Sequence, residues 1–253
     1  MPVPDIEFAV GVHGVETSLG PVYAGLTRRG EGGGHPAGAS FWPAGTHAER
    51  DVDLTRRVLA HTLHRHVSDF RLLKQVHGTR VVRREAVPDT IPAADAHFTA
   101  VSGPVLVVNV ADCCPVIVVS PDAALVGIAH SGWRGTAAGV VPALVAAMTD
   151  AGADPATMRA WIGPCADGDA YEVGADVAAR FSRWSKAVAP HPQDDTKRLL
   201  DVGTAVAAQL RAAGIADTAV RRSSGGTITD RRYHSHRRSH FAAGRMAAFV
   251  TIG

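Results

Sequence analysis

Three near-continuous apolar runs occupy the middle of this chain: Val105 to Val110, Pro115 to Val119 and Leu125 to Ala129. Short runs rich in valine and isoleucine read as strands, and their lack of apolar–polar alternation means that both faces are covered. Strands of this kind need a layer above and a layer below, which commits the chain to a layered α/β or α+β architecture. The flanking sequence supplies helices. Asp51 to His66 carries Leu54, Val58, Leu59 and Leu63 at helical spacing, with Asp53 as a candidate cap. Further helices are expected from about Arg134 to Ala151, stopped by Gly152, from about Gly174 to Trp184, and from about Val202 to Ala213. Additional strands are expected at Ile6–Val12, Arg71–Val76, Thr79–Arg83, Met158–Ile162, Thr218–Arg222 and Arg245–Thr251, and a turn at Pro121-Asp122. No internal repeat and no linker divides the chain, so residues 1–253 read as one mixed α/β domain.

The ends of these runs carry residues with chemistry. His77 follows Phe70-Arg71-Leu72-Leu73 within Lys74-Gln75-Val76-His77-Gly78; Cys113 follows the first apolar run; His130 follows the third, within His130-Ser131-Gly132-Trp133-Arg134-Gly135. Strand ends project side chains from a rigid sheet into a crevice. Two imidazoles and one thiolate suit zinc, and three protein ligands leave a fourth position open for water or substrate. Asp112 sits beside Cys113 at the end of a buried run. A carboxylate there needs a partner, and orienting a metal-bound histidine is one such use. Cys114 points the other way from Cys113 if the strand continues. Cys165 in Gly163-Pro164-Cys165 is a second-choice ligand or nucleophile. Arg134 is placed to meet an anion at a helix start. Each residue also has a plain reading: His77 in a tight turn, Cys113 as a small core residue, Arg134 on a solvated helix start.

Composition excludes several classes. With 253 residues the chain buries a core without staples. A net charge of +2 argues against a nucleic-acid binder, and nothing in the sequence demands an obligate protein partner. The basic segment Arg231 to His240 reads first as a solvated loop, second as a site for a phosphate-bearing substrate. Three cysteines cannot all pair within the chain and favour a reducing compartment. No stretch is long and apolar enough to span a membrane, and the start lacks the pattern of a signal peptide, so a cytoplasmic location is expected. Gly32-Gly33-Gly34 lacks the Lys-Ser/Thr of a P-loop, and Pro164-Cys165 lacks the second cysteine and the His-x-Glu of a nucleoside deaminase.

Taken together, Lys74 to Gly78, Ala94-Asp95-Ala96, Ala111 to Val116, His130 to Gly135, Gly163-Pro164-Cys165, Tyr171 to Gly174, Arg237-Arg238 and Gly244 to Ala247 resemble the laccase-domain family, also called multicopper polyphenol oxidase-like, YfiH-type or peptidoglycan-editing-factor proteins. The resemblance runs from about Leu72 to the C-terminus. It implies a single-domain, four-layer α-β-β-α sandwich with zinc held by His77, Cys113 and His130. It also implies purine nucleoside phosphorylase activity: adenosine or inosine and phosphate as substrates, with methylthioadenosine phosphorolysis and adenosine deamination beside it. The oxidase name implies copper, but thiolate–imidazole ligation suits zinc, and His234-Ser235-His236 is the lone His-x-His. Two family features are absent: the arginine of an N-terminal Thr-Thr-Arg-x-Gly-Gly segment, where the chain reads Gly11 to Glu16, and a late cysteine, where it reads Arg222-Ser223-Ser224.

In the leading expectation Arg134 and Arg238 neutralise the anion, and Asp112 orients a ligand or assists proton transfer. Two alternatives stand beside it. One is a Cys-His amidohydrolase acting on peptidoglycan precursors, with Cys113 as nucleophile and His130 as base. The other is a metal-binding protein with little catalysis.

Overall fold

Valine-rich runs and amphipathic helices sort themselves into separate layers. The computed structural model describes residues 8–10, 16–17, 20–29, 40–43, 49–84, 91–121 and 124–253. The glycine-rich stretch 30–38, residues 11–15 and Asp122 of the expected turn lie outside these.

In chain order the strands are β1 (Phe8–Val10), β2 (Glu16–Thr17), β3 (Gly20–Thr27), β4 (Phe70–Arg71), β5 (Val81–Arg83), β6 (Ala96–Thr99), β7 (Val105–Val110), β8 (Cys114–Ser120), β9 (Leu125–Ser131), β10 (Arg159–Ile162), β11 (Glu172–Gly174), β12 (Val188–Pro190), β13 (Lys197–Leu200), β14 (Val220–Arg222) and β15 (Met246–Ile252). The α-helices are α1 (Glu49–Thr62), α2 (Trp133–Ala138), α3 (Val140–Asp150), α4 (Ala175–Ala179), α5 (Val202–Ala212) and α6 (His236–Ser239).

The first sheet runs β1-β3-β15-β7-β4, with β2 folded onto β3. The second runs β14-β10-β8-β9-β6-β5. A small third sheet, β11-β13-β12, is antiparallel throughout. Leu106, Val108 and Val110 on one face of β7 meet Ile117, Val119, Val126 and Ile128 of the second sheet in one buried cluster. The opposite face of β7, with Val105 and Val107, packs beneath Leu59 of α1 together with Phe41 and Phe249. The outer face of the second sheet lies on Leu144, Val145 and Met148 of α3 and on Val206 and Leu210 of α5. The layers therefore follow the order α-β-β-α. Gly127 lets β9 and α3 meet closely, since a Cβ there would lie 2.9 Å from Met148 Sδ. Leu144 is fully buried at this contact, and truncating it to alanine costs about 2–5 kcal/mol.

Several elements differ from the sequence reading. The helix expected over 134–151 is two helices, broken at Gly139, whose φ of +94° closes α2 and starts α3. Asp53 lies inside α1 rather than at its cap and pairs with Arg57 one turn on, at 2.7 Å. The stretch 174–184 forms only the short α4, followed by a 3-10 segment Ser182–Ala187 with a kink at Trp184. After β4 the chain leaves the sheet; Lys74 alone bridges to Ala93. The strands β2, β3, β6, β11, β12 and β13 are additions.

Candidate functional site

The second sheet antiparallel-pairs β8 with β9, and the register sets Cys114 opposite Ser131 and Pro115 opposite His130. Cys113, one residue before β8, therefore arrives beside His130 at the same sheet end. Cys114 turns to the opposite face and is buried in the core under α3, where the neighbouring Cys165 and burial push its thiol well up. Cys165 is buried in the same core. His77 reaches the site from a loop in which its own φ is +60°. The ligand atoms of His77, Cys113 and His130 all lie within 4.8 Å of one another. Cys113 Sγ is 3.9 Å from His77 Nε2, and the two imidazole rings meet edge-on with centroids 4.8 Å apart.

Asp95 builds this arrangement. It is 0% exposed, just before β6. Its carboxylate accepts the backbone N–H groups of Val76 (3.1 Å), His77 (2.9 Å) and Gly78 (2.7 Å), and Oδ1 accepts His130 Nδ1–H at 2.9 Å. That bond leaves His130 Nε2 for the cluster. Burial opposes the charge on Asp95, but His130 and these N–H groups hold its carboxyl below the usual range. Gly132 completes the cradle: a Cβ there would lie 2.9 Å from both Cys113 Sγ and His77 Cδ2.

The cluster carries its own electrostatics. Burial alone would raise the Cys113 thiol, yet His130, with His77 behind it, brings it down to about 6. Burial alone would lower His130, yet Cys113 and Asp95 raise it to about 9. Without a metal, the pair is a thiolate facing an imidazolium at neutral pH. A thiolate and two imidazoles, one fixed by a buried carboxylate, form a donor set that fits a transition metal.

A cavity of about 520 Å³ opens over the cluster. Its described wall holds His77, Cys113 and His130 together with His236, Lys74 and Arg245, and no carboxylate lines it among the described residues.

The other residues singled out from the sequence sit elsewhere. Asp112, at φ +83°, accepts Thr227 Oγ1–H and the Arg237 backbone N–H, each at 2.6 Å. It ties down the loop before α6, and the orienting role expected of it belongs to Asp95. Arg238 donates to the carbonyls of Thr227, Ile228, Asp230 and Tyr233, so its guanidinium clamps the same loop instead of facing an anion. Arg134 is exposed and stacks on Trp133 at 4.2 Å, outside the cavity wall. The cavity's cations are Lys74 and Arg245, which the sequence reading did not select; Arg245 lines the cavity while its Nη1 donates to the carbonyls of Ala243 and Gly244, at 2.9 and 3.0 Å. Ala94-Asp95-Ala96 was the signal for Asp95: an acidic residue between two alanines at a strand start is a buried carboxylate in need of donors.

A family model described as multi-copper polyphenol oxidoreductase laccase matches residues 26–253. The chain belongs to this family. A protein of Xylella fastidiosa named purine nucleoside phosphorylase is 38% identical over 189 residues, covering 72% of this chain and 71% of that one. A protein of the same name from Deinococcus radiodurans is 35% identical over 208 residues, covering 80% and 78%. The crystal structure of the Bacillus licheniformis hypothetical protein YfiH superposes with a TM-score of 0.85 at 27% identity, covering 92% of this chain and 93% of that one. The family thus joins a laccase label to relatives named for nucleoside phosphorolysis, and the His-Cys-His cluster lies within the matched span.

Proposed function

We propose that this chain is a zinc-dependent purine nucleoside phosphorylase of broad specificity, built as one laccase-like domain over its whole length. The observation that carries the reading is a metal-type cluster in the floor of a cavity whose charged wall residues are cationic. Relatives bearing the phosphorylase name support it.

His77, Cys113 and His130 would hold the metal, with Asp95 fixing His130. A bound zinc would supply Lewis acidity toward a substrate oxygen. Lys74 and Arg245 draw phosphate into the cavity and neutralise it. A phosphate oxygen attacks C1′ of the ribose, the C1′–N9 bond breaks, and the bonding pair leaves with the purine. His236, an imidazole of the wall outside the cluster, gives the departing base its proton. The products are the free purine and ribose 1-phosphate. Methylthioadenosine differs only at the 5′ position and follows the same course. Deamination of adenosine is a further activity of the same cavity: water attacks C6, the bond from C6 to the amino nitrogen breaks, and ammonia leaves to give inosine. Copper is the poorer match, because among the described residues the one His-Cys-His group supplies no multinuclear cluster. Three free cysteines suit the reducing cytoplasm, and no described helix is long and apolar enough to cross a membrane.

The Cys113–His130 ion pair favours a second reading, a Cys-His amidohydrolase. The two uses of Cys113 exclude each other. The deciding experiment measures metal content together with the products of inosine and phosphate. About one zinc per chain, lost in Cys113→Ser and His130→Ala, and ribose 1-phosphate formed only with phosphate support the phosphorylase. Metal-free protein that turns over amides supports the hydrolase. Cleavage that is indifferent to phosphate rejects the phosphorylase.

A further inference from the structure

One polar side chain in the cavity wall has no task in the fold. Asn109 lies on β7 and shares a face with Val105 and Val107, toward Phe41. Its backbone is fixed from the side by Gln75, whose Nε2–H donates to Asn109 O at 2.8 Å and whose Oε1 accepts Asn109 N–H at 2.8 Å. Gln75 thereby replaces a strand neighbour where β4 has ended. The Asn109 carboxamide gains nothing from this: its Oδ1 is buried and has no hydrogen-bond partner. The backbone N–H and C=O of Asn109 are both held by Gln75, so the buried, unpaired oxygen of its side chain has the character of a group reserved for a ligand.

Its surroundings suit a flat apolar ring. Trp42, Pro43 and Leu73 line the same cavity. The Arg56 guanidinium sits 5.5 Å from the Trp42 ring centroid and 5.4 Å from that of Phe41, and its Nε donates to Phe41 O, which braces the aromatic segment. The wall thus divides by chemistry: thiolate, imidazoles and cations for phosphate and ribose, and an aromatic, an aliphatic and a carboxamide for something planar with a hydrogen-bonding edge.

We infer that Trp42, Leu73 and Asn109 form the slot for the purine base, and that the Asn109 carboxamide reads the edge carrying N7 and the 6-substituent. This rests on the phosphorylase reading. A carboxamide matches adenine at both points, donating to N7 and accepting from the 6-amino group. Against hypoxanthine the same amide donates to N7 and O6. Rotation about χ2 brings either end of the amide to the cavity. The N–H to N7 bond strengthens as the purine takes the electron pair of the breaking C1′–N9 bond, so it favours the transition state over the bound nucleoside. Asn109 is accordingly both a specificity determinant and a contact to the leaving group.

The test titrates metal-loaded protein with adenine, hypoxanthine and 7-deazaadenine, and in parallel measures phosphorolysis of adenosine and inosine. Asn109→Leu keeps the branching and the number of side-chain heavy atoms and removes both hydrogen bonds. It should weaken adenine binding about tenfold or more, the scale of one to two hydrogen bonds. The loss should be smaller for 7-deazaadenine, which has no N7 to accept. Asn109→Asp keeps the shape but only accepts, so it should raise the preference for adenine over hypoxanthine; it also serves if Asn109→Leu folds poorly. Metal content and melting temperature confirm that each variant is intact. Equal adenine binding by wild type and intact variants overturns the slot, as does a wild type that binds no purine. Phosphorolysis with unaltered base preference in both variants rejects the slot and leaves the phosphorylase reading standing. Purine binding that depends on Asn109, in a wild type that cleaves no nucleoside, upholds the slot and rejects the phosphorylase reading.

Discussion

Asp95 and His130 are bonded twice: the carboxylate accepts His130 Nδ1–H at 2.9 Å, and the Asp95 carbonyl accepts the His130 backbone N–H at 2.7 Å. Side chain and main chain of one residue thus set both the position and the tautomer of the other. Asp95→Asn keeps the shape and weakens the charge-assisted bond. It should lower metal affinity by about ten- to a hundredfold, the usual effect of losing a carboxylate behind a ligating imidazole. Competition with a chromophoric chelator measures this; unchanged affinity would remove Asp95 from the site's design.

Metal binding should release about one proton per ion between pH 6 and pH 9. In the metal-free protein Cys113 titrates at about 6 and His130 at about 9, so in this window the thiolate is already formed and the imidazolium must deprotonate. Affinity should therefore rise about tenfold per pH unit across the window, and more steeply below pH 6, where the thiol too must lose its proton. Calorimetry in buffers of different ionisation enthalpy counts the protons. A count near zero at pH 7.5 contradicts the ion pair.

Arg245→Ala should raise the KM for phosphate by about ten- to a hundredfold, as expected for one preorganised cationic contact. Arg134→Ala, on an exposed residue stacked on Trp133, should change it less than about twofold. The reverse ranking would move the anion site to the start of α2.

Gly132→Ala should disturb the cluster more than the fold. The backbone at Gly132, with φ −69°, accepts alanine, but the new methyl would press on Cys113 Sγ and His77 Cδ2, each 2.9 Å away. Overpacking of this kind costs about 1–3 kcal/mol. The expected result is a folded protein with weakened metal retention, read by metal analysis after dialysis. Full retention would show that His77 can yield.

His97 gives stability a pH dependence of its own. It is 0% exposed on β6, and burial, aided by Arg84, lowers it to about 3. Below the ordinary histidine pKa of 6.5 the unfolded chain takes up a proton that the folded chain refuses. Stability should fall as pH drops from 6.5 toward 3, by up to about 1.4 kcal/mol per unit from this group. His97→Leu should flatten that slope in urea titrations; an identical slope would show that His97 is protonated in the native state.

The parts of the fold legible in sequence were those in which local pattern and global packing agree. The valine runs of β7, β8 and β9 could only be covered strands, and their ends announced Cys113 and His130. Strand alternation allows only one of Cys113 and Cys114 to face the site, and the place of Cys113 beside Asp112 at the strand end pointed to the first. What stayed hidden depends on partners distant in sequence. β12 and β13 are short and partly exposed, so they carry no apolar signature. Asp112 and Asp95 look equally suited to support a ligand; only the crossing of the 76–78 loop over β6 gives the role to Asp95. Arg238 reads as a free cation until the carbonyls around it are placed. Lys74 and Arg245 share a cavity because β15 lies against β7, and no spacing rule connects them.

The position of β15 has a consequence for how this protein is made. β3 and β7 do not touch each other; each pairs with β15, which lies between them in the first sheet. The ribosome delivers β15 after every other described strand. Until then β3 and β7 each hold an open edge, and the Val105–Val107 face waits for Ala247 and Phe249. Sheet closure is therefore a late event in biogenesis, and the cavity gains the Arg245 side of its wall only at that moment. A nascent chain stalled before Met246 would be a client for chaperones rather than a partly active enzyme.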